Sequence, residues 1–154
     1  MLQGLLRPFI RASLIYFVVG FLIGLCMILK PEWTGDLRYS HMHVNLLGAY
    51  GMLIFGVAYH VLPRFASRML YSERLGYIHF WVSNAGLILL VVGYPLQALD
   101  DSFILREIVR LGALLNLAGV LLFVFNIWKT VFSPEAKPRS GAKCKAPSIP
   151  VING

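Results

Sequence analysis

The residues RYSHMHVNLLGAYGMLIFGVAYHVLPRF, Arg38 to Phe65, decide the fold. They are apolar enough to cross a bilayer, which takes ~20 residues in a helix. Yet they open with two histidines one residue apart, His41 and His43, and carry a third, His60, near the far end. An ionisable side chain is costly in hydrocarbon, so each is a candidate functional position by default.

The rest of the chain reads the same way. It has 154 residues, of which 58% are hydrophobic and 14% charged. That is more apolar surface than a soluble domain of this size uses. Four stretches are long enough to span: Phe9–Leu29, His41–Leu62, Tyr77–Leu96 and Ile108–Phe132. The expected fold is an all-α, integral membrane four-helix bundle over residues 1–132, with a flexible basic tail over 133–154. The first stretch is too long for a signal-peptide core and is expected to stay. The tail is rich in Pro, Lys and Ser, a composition that does not build a core. Cys26 and Cys144 form no CxxC pair, so neither a disulfide nor a thiolate metal site is expected.

Charge sets the orientation. Arg7 and Arg11 precede the first span, and Arg64, Arg68 and Arg74 follow the second. Lys129, Lys137, Arg139, Lys143 and Lys145 end the chain. The intervening loops are balanced or acidic, with Glu32, Asp36, Asp100 and Asp101. Both termini are therefore expected in the cytoplasm, across a bacterial-type inner membrane. The formal charge of +7 then reflects topology and contact with anionic lipid rather than nucleic acid.

Helix geometry sorts the histidines. Residues two apart point about 200° away from each other, so His41 and His43 cannot hold one ion side by side. His60 lies about 25 Å further along the axis, in the other leaflet. His79 opens the third span at a similar depth. For His60 and His79 the plainer reading is interfacial, with the ring bonded to headgroups or a neighbouring carbonyl. His43 is expected to share a face with Asn45 and is the favoured ligand. Gly48, Gly51 and Gly56 follow on the same helix and allow close approach of a helix or of a flat macrocycle.

The ligand set narrows the metal. A small ion wants three or four converging ligands. Haem needs one or two, because the porphyrin supplies the others. The sequence therefore points to haem on His43, with His41 as the second candidate.

HMHVNLLGAYGMLIFGVAYHVLPRF resembles the tenth helix of subunit I of the haem–copper oxidases, above all the cbb-type oxidases and nitric oxide reductases. ERLGYIHFWVSNAGLILL resembles the helix after it. The match runs over roughly Arg38 to Val92. YFVVGFLIGL followed by RYSHMHVN also resembles the first two helices of the same subunit, in a different register. The first resemblance implies that His41 corresponds to the high-spin haem ligand and His43 to the low-spin one. It also implies b-type haem, and work in electron transfer or in binding NO or O₂. The family has about twelve helices, and its copper-binding histidines have no counterpart here. The isolated chain is therefore not expected to reduce oxygen.

Two alternatives stand beside this reading. One is a small copper-handling assembly protein, given the soft ligands Met27, Met42 and Met52. The other is a non-catalytic or quinone-site subunit of a respiratory complex. Because His41 and His43 diverge, a bis-histidine iron would need a second copy of the chain. A homodimer is then expected, closed through Gly48 and Gly51, with Arg38 paired to a propionate. The orientation is checked by reporter fusions at the C-terminus and within residues 64–74. Both are expected to read cytoplasmic, and a periplasmic signal from either would invert the depth of every histidine.

Overall fold

The computed structural model describes residues 2–133; the tail expected over 133–154 lies, beyond Ser133, outside the described residues, as does Cys144. Helix α1 is Leu2–Leu29. A single turn, Pro31–Trp33, leads into α2, Thr34–His43. A π-helical stretch, Val44–Gly51, joins α2 to α3, Met52–Phe65. Together these make one 35-residue second span, Pro31–Phe65. Helices α4, Glu73–Leu99, and α5, Phe103–Phe132, follow. Among the described residues, four helices are thus long and apolar enough to cross a membrane. The chain forms an all-α membrane bundle.

Every span starts earlier than hydropathy alone places it. The largest difference is in the second, where helix begins at Pro31 rather than His41. Lys30, Glu32, Asp36 and Arg38 mark where hydrocarbon ends, not where helical hydrogen bonding ends. Their side chains are tolerated on helical turns in the headgroup region. Caps rather than charges fix the later starts. Ser72 Oγ accepts from Leu75 N at 3.1 Å to open α4, and Ser102 Oγ accepts from Leu105 N at 3.5 Å to open α5. His41 therefore sits about two turns inside its helix.

Helices α4 and α5 make the most extensive pairing, and α1 packs along the second span. Close approach of α4 and α5 needs bare backbone. A Cβ on Gly86 would lie 2.8 Å from Gly112 O and 2.6 Å from Asn116 Nδ2. The side chains facing away are large and apolar, as lipid requires: Ile15, Trp81, Leu114 and Trp128 are all exposed.

The core lies toward the α3–α4 end. Leu5, Phe9, Met52 and Tyr59 are almost fully buried together. His79 belongs to this core, which corrects its expected place at an interface. It is 0% exposed. Phe9, Phe55, Tyr59 and Phe123 surround its ring with centroids 4.7 to 5.7 Å away. The Tyr59 hydroxyl lies 3.1 Å from Nδ1. The reason is the early start of α4: with Glu73 already helical, His79 is nearly two turns in and turned toward α1 and α3. An interfacial histidine changed to alanine costs within about 0.5 kcal/mol. Here His79→Ala empties an aromatic box and strips Tyr59 of its partner. A loss of roughly 2–5 kcal/mol is expected, read by denaturation in detergent.

Candidate functional site

The HxH pair is split between two faces, as its spacing requires. His41 turns to α1, where its Nδ1 lies 3.0 Å from Gly20 O. His43 turns toward α4, and its ring centroid is 5.4 Å from that of Tyr94. Its Nδ1 lies 2.7 Å from Tyr39 O, one turn back on its own helix. A carbonyl oxygen only accepts, so in both rings Nδ1 carries the proton. Each Nε2 is then a lone-pair atom, the form in which imidazole binds a metal.

Asn45 pairs with His41, not with His43 as expected. Its Nδ2 donates to His41 O at 2.8 Å and lies 3.4 Å from His41 Nδ1. Residues four apart stack along a helix, whereas residues two apart oppose each other, so Asn45 shares the face of His41.

The other wall of the site comes from α1, which the sequence pattern around the histidines does not announce. Gly20 and Gly24 of α1 are one turn apart and face His41 and Asn45. A Cβ on Gly24 would lie 2.9 Å from His41 Cε1, and one on Gly20 would lie 2.5 Å from Asn45 Oδ1. Two glycines four apart in an apolar helix are a packing signal in their own right, and that signal could have found this wall. Between the two walls lies a groove of about 770 Å³, lined chiefly by Phe17, Phe21, Leu25, Ile28, Tyr50 and His41. Gly24, Met27, Thr34 and Asn45 complete it.

The π-helical stretch starts directly after His43. Such stretches often mark functional positions and leave carbonyls in need of partners. Ser13 Oγ of α1 donates to Ala49 O at 2.7 Å, tying this stretch to α1 just beyond the groove.

The remaining candidates are not gathered there. Gly48 is used inside the protomer. A Cβ on it would lie 2.7 Å from Tyr16 Cγ and 3.0 Å from Leu87 Cδ2, so this glycine is not available to a second copy. Near Gly51 the closest atoms come from its own helix, Leu46 O and the Phe55 ring. Arg38 is exposed, with its guanidinium carbon 5.2 Å from the Tyr39 ring centroid. His60 accepts from Arg64 one turn on. His79 is sealed in its aromatic box, with no hydrogen-bond partner at Nε2 among the described residues. Tyr59, the neighbour of His60, reaches His79 from α3. Among the described residues no group of three His, Cys, Asp or Glu side chains is placed to hold a metal ion.

Comparison with known proteins places this arrangement. The family model for cytochrome c and quinol oxidase polypeptide I matches residues 34–108, which include all four histidines. Cytochrome c oxidase subunit 1 of Rhodobacter capsulatus is 28% identical over 65% of this chain and 23% of its own length. The cbb3-type cytochrome c oxidase subunit CcoN1 of Stutzerimonas stutzeri is 26% identical over 84% of this chain and 33% of its own. A nitric oxide reductase polypeptide of the same organism is 33% identical over 64% of this chain and 23% of its own. The chain thus spans roughly a quarter to a third of the length of such relatives. No solved structure matches it. With four apolar spans and the histidine-bearing second span inside the matched region, the chain is a membrane-embedded relative of subunit I of the haem–copper oxidases.

Proposed function

We propose that this chain binds b-type haem in the groove between α1 and the second span, with His41 Nε2 as the iron ligand. The observation that carries the reading is a lone-pair imidazole nitrogen at a groove of about 770 Å³ whose lining is otherwise mostly apolar, with Thr34, Asn45 and Tyr50 as its other polar side chains. That volume is in the range of cofactor sites, which run to ~300–1,000 Å³. The donor set fits as well. Haem asks the protein for one or two nitrogens or sulfurs, not the cage of three or four that zinc or copper wants. Bound haem supplies a one-electron couple. The chain's own residues hold it, fix the tautomer of the ligand and exclude water.

Each contributing residue has a part. The Gly20 carbonyl orients the His41 ring and fixes its tautomer, as outer partners of metal-bound histidines do. Asn45 ties the same ring to its own helix. Arg38, exposed one turn before His41, suits a propionate carboxylate. His43 has the same tautomer on the opposite face and is the second candidate ligand. The sequence favours His43, whereas the groove favours His41.

The work proposed is electron transfer in a bacterial plasma membrane, with both termini cytoplasmic. A second reading, binding of a diatomic gas, is favoured by one feature: the groove presents a single imidazole.

The purified protein is expected to show a Soret band and sharp reduced bands. His41→Ala should lose the haem while keeping its helical circular dichroism, and added imidazole should restore part of the spectrum. His43→Ala should keep the haem. The reverse pattern would move the site to the Tyr94 face, and a wild-type protein without a Soret band would refute the reading.

A further inference from the structure

We infer that Ser13 is a positioning residue for the ligand histidine: by taking the Ala49 carbonyl it holds the wide turns of the second span, and those turns aim His41 at α1. This rests on the haem reading above for the identity of the ligand. It goes beyond that reading by naming what sets the direction of the ring.

The second span is α-helical up to His43, α-helical again from Met52, and π-helical between. A π-turn closes on the fifth residue rather than the fourth, so it carries roughly one residue more than an α-turn. One residue is about 100° of α-helix. The segment that carries His41 is therefore rotated, relative to α3, away from where an unbroken α-helix would put it. The groove lining shows the effect. Asn45 and Tyr50 both line it, although they are five residues apart. In an α-helix five residues run about 140° beyond a full turn, and such side chains diverge. In a wide turn they return to one side. Gly51 shows the same closure, since a Cβ on it would lie 3.1 Å from Leu46 O, five residues back.

The contacts with α1 follow this stretch in antiparallel order. Gly24 meets His41, Gly20 meets Asn45, Tyr16 meets Gly48 and Ser13 meets Ala49. Two directed bonds hold the row. The His41 bond to Gly20 O fixes one end, and the Ser13 hydroxyl, donating to Ala49 O at 2.7 Å, fixes the other. Ser13 and Ala49 are both almost fully buried.

A carbonyl oxygen has two lone pairs, and Ala49 O already takes the Met52 N–H. The Ser13 hydroxyl satisfies the second. A serine within a helix can instead give its proton to a carbonyl one turn back on its own helix. This one gives it to the neighbouring span. Alanine at position 13 removes the pin from that end of the row. The second span is then free to close into α-helical turns and carry His41 off the α1 stripe. Ordinary helix–helix glue, by contrast, would leave the direction of His41 unchanged when lost.

The test uses full-length protein in detergent and two readouts, of which only one needs haem. The first is the haem absorption and electron paramagnetic resonance spectrum, which reports axial ligation. The second is cross-linking of Gly24→Cys to His41→Cys by a short bis-methanethiosulfonate, in a Cys26→Ser, Cys144→Ser background. The smaller side chain at position 41 makes room for the cysteine at 24. Ser13→Ala is expected to keep its helical circular dichroism, to alter the haem spectrum and to lower the cross-linked yield several-fold. Ser13→Thr, which keeps the hydroxyl, should restore both. Deletion of Leu46, an exposed residue within the stretch, should straighten the span and abolish the cross-link. A Ser13→Ala protein that cross-links like the parent cysteine pair overturns the inference, whether or not the deletion variant folds. Equal losses in Ser13→Ala and Ser13→Thr would assign Ser13 to packing alone and also overturn it. A wild type without haem removes the haem reading, while the cross-linking still decides whether Ser13 sets the direction of position 41.

Discussion

The contact between His41 and the bare backbone of α1 is the constraint from which the rest of the site follows. Gly20 and Gly24 remove side chains from one stripe of α1 at the level where the second span carries its most polar residues. The imidazole can then reach the Gly20 carbonyl, and Asn45 can lie beside it. A methyl group at either glycine would sit 2.5 to 2.9 Å from these side chains and force the helices apart. One pair of glycines thus sets the helix separation, the width of the groove and the tautomer of the ring. In water the bond from His41 would contribute about 1 kcal/mol. Its value here is geometric, because it leaves one nitrogen free and aims the other.

The opposite end of the bundle is built to the contrary rule. There the polar groups of the α3–α4 loop and of α5 satisfy one another, while His79 Nε2 is left without a partner among the described residues. Asn126 Oδ1 accepts from Ser72 N at 3.1 Å, and its Nδ2 donates to Ser72 O at 2.9 Å. Thr130 Oγ1 accepts from Tyr71 N at 3.0 Å and donates to Asn126 O at 2.6 Å. The loop between α3 and α4 is clamped to α5 by these bonds, and the aromatic box around His79 lies beneath it. A closed end that holds the helices in register and an open groove at the other end are complementary. Rigid support is what a cofactor ligand needs if its orientation is to be fixed before binding.

Much of this is readable from residues alone, and the exceptions have particular causes. Four spans follow from hydropathy, because hydrocarbon leaves no other place for such stretches. The divergence of His41 and His43 follows from 3.6 residues per turn. The same geometry, applied to Asn45, assigns it to His41; pairing it with His43 mistakes nearness in sequence for nearness on a face. His79 reads as interfacial because charges stand just before it. Whether a helix turns such a residue outward or into a core depends on its neighbours, here Phe9 from α1 and Phe123 from α5, which no local pattern reveals. Gly48 fits a dimer seam as well as an internal one. Only the position of Tyr16 decides between them, and that is tertiary information.

The measurement that bears most directly on the site is a cryo-electron microscopy map of the haem-loaded protein in lipid nanodiscs. The expected result is macrocycle density in the groove between α1 and the second span, continuous with His41 Nε2 and flanked by Phe17 and Phe21. Density on the Tyr94 face against His43, or an ordered map of the groove filled by lipid chains alone, would contradict it.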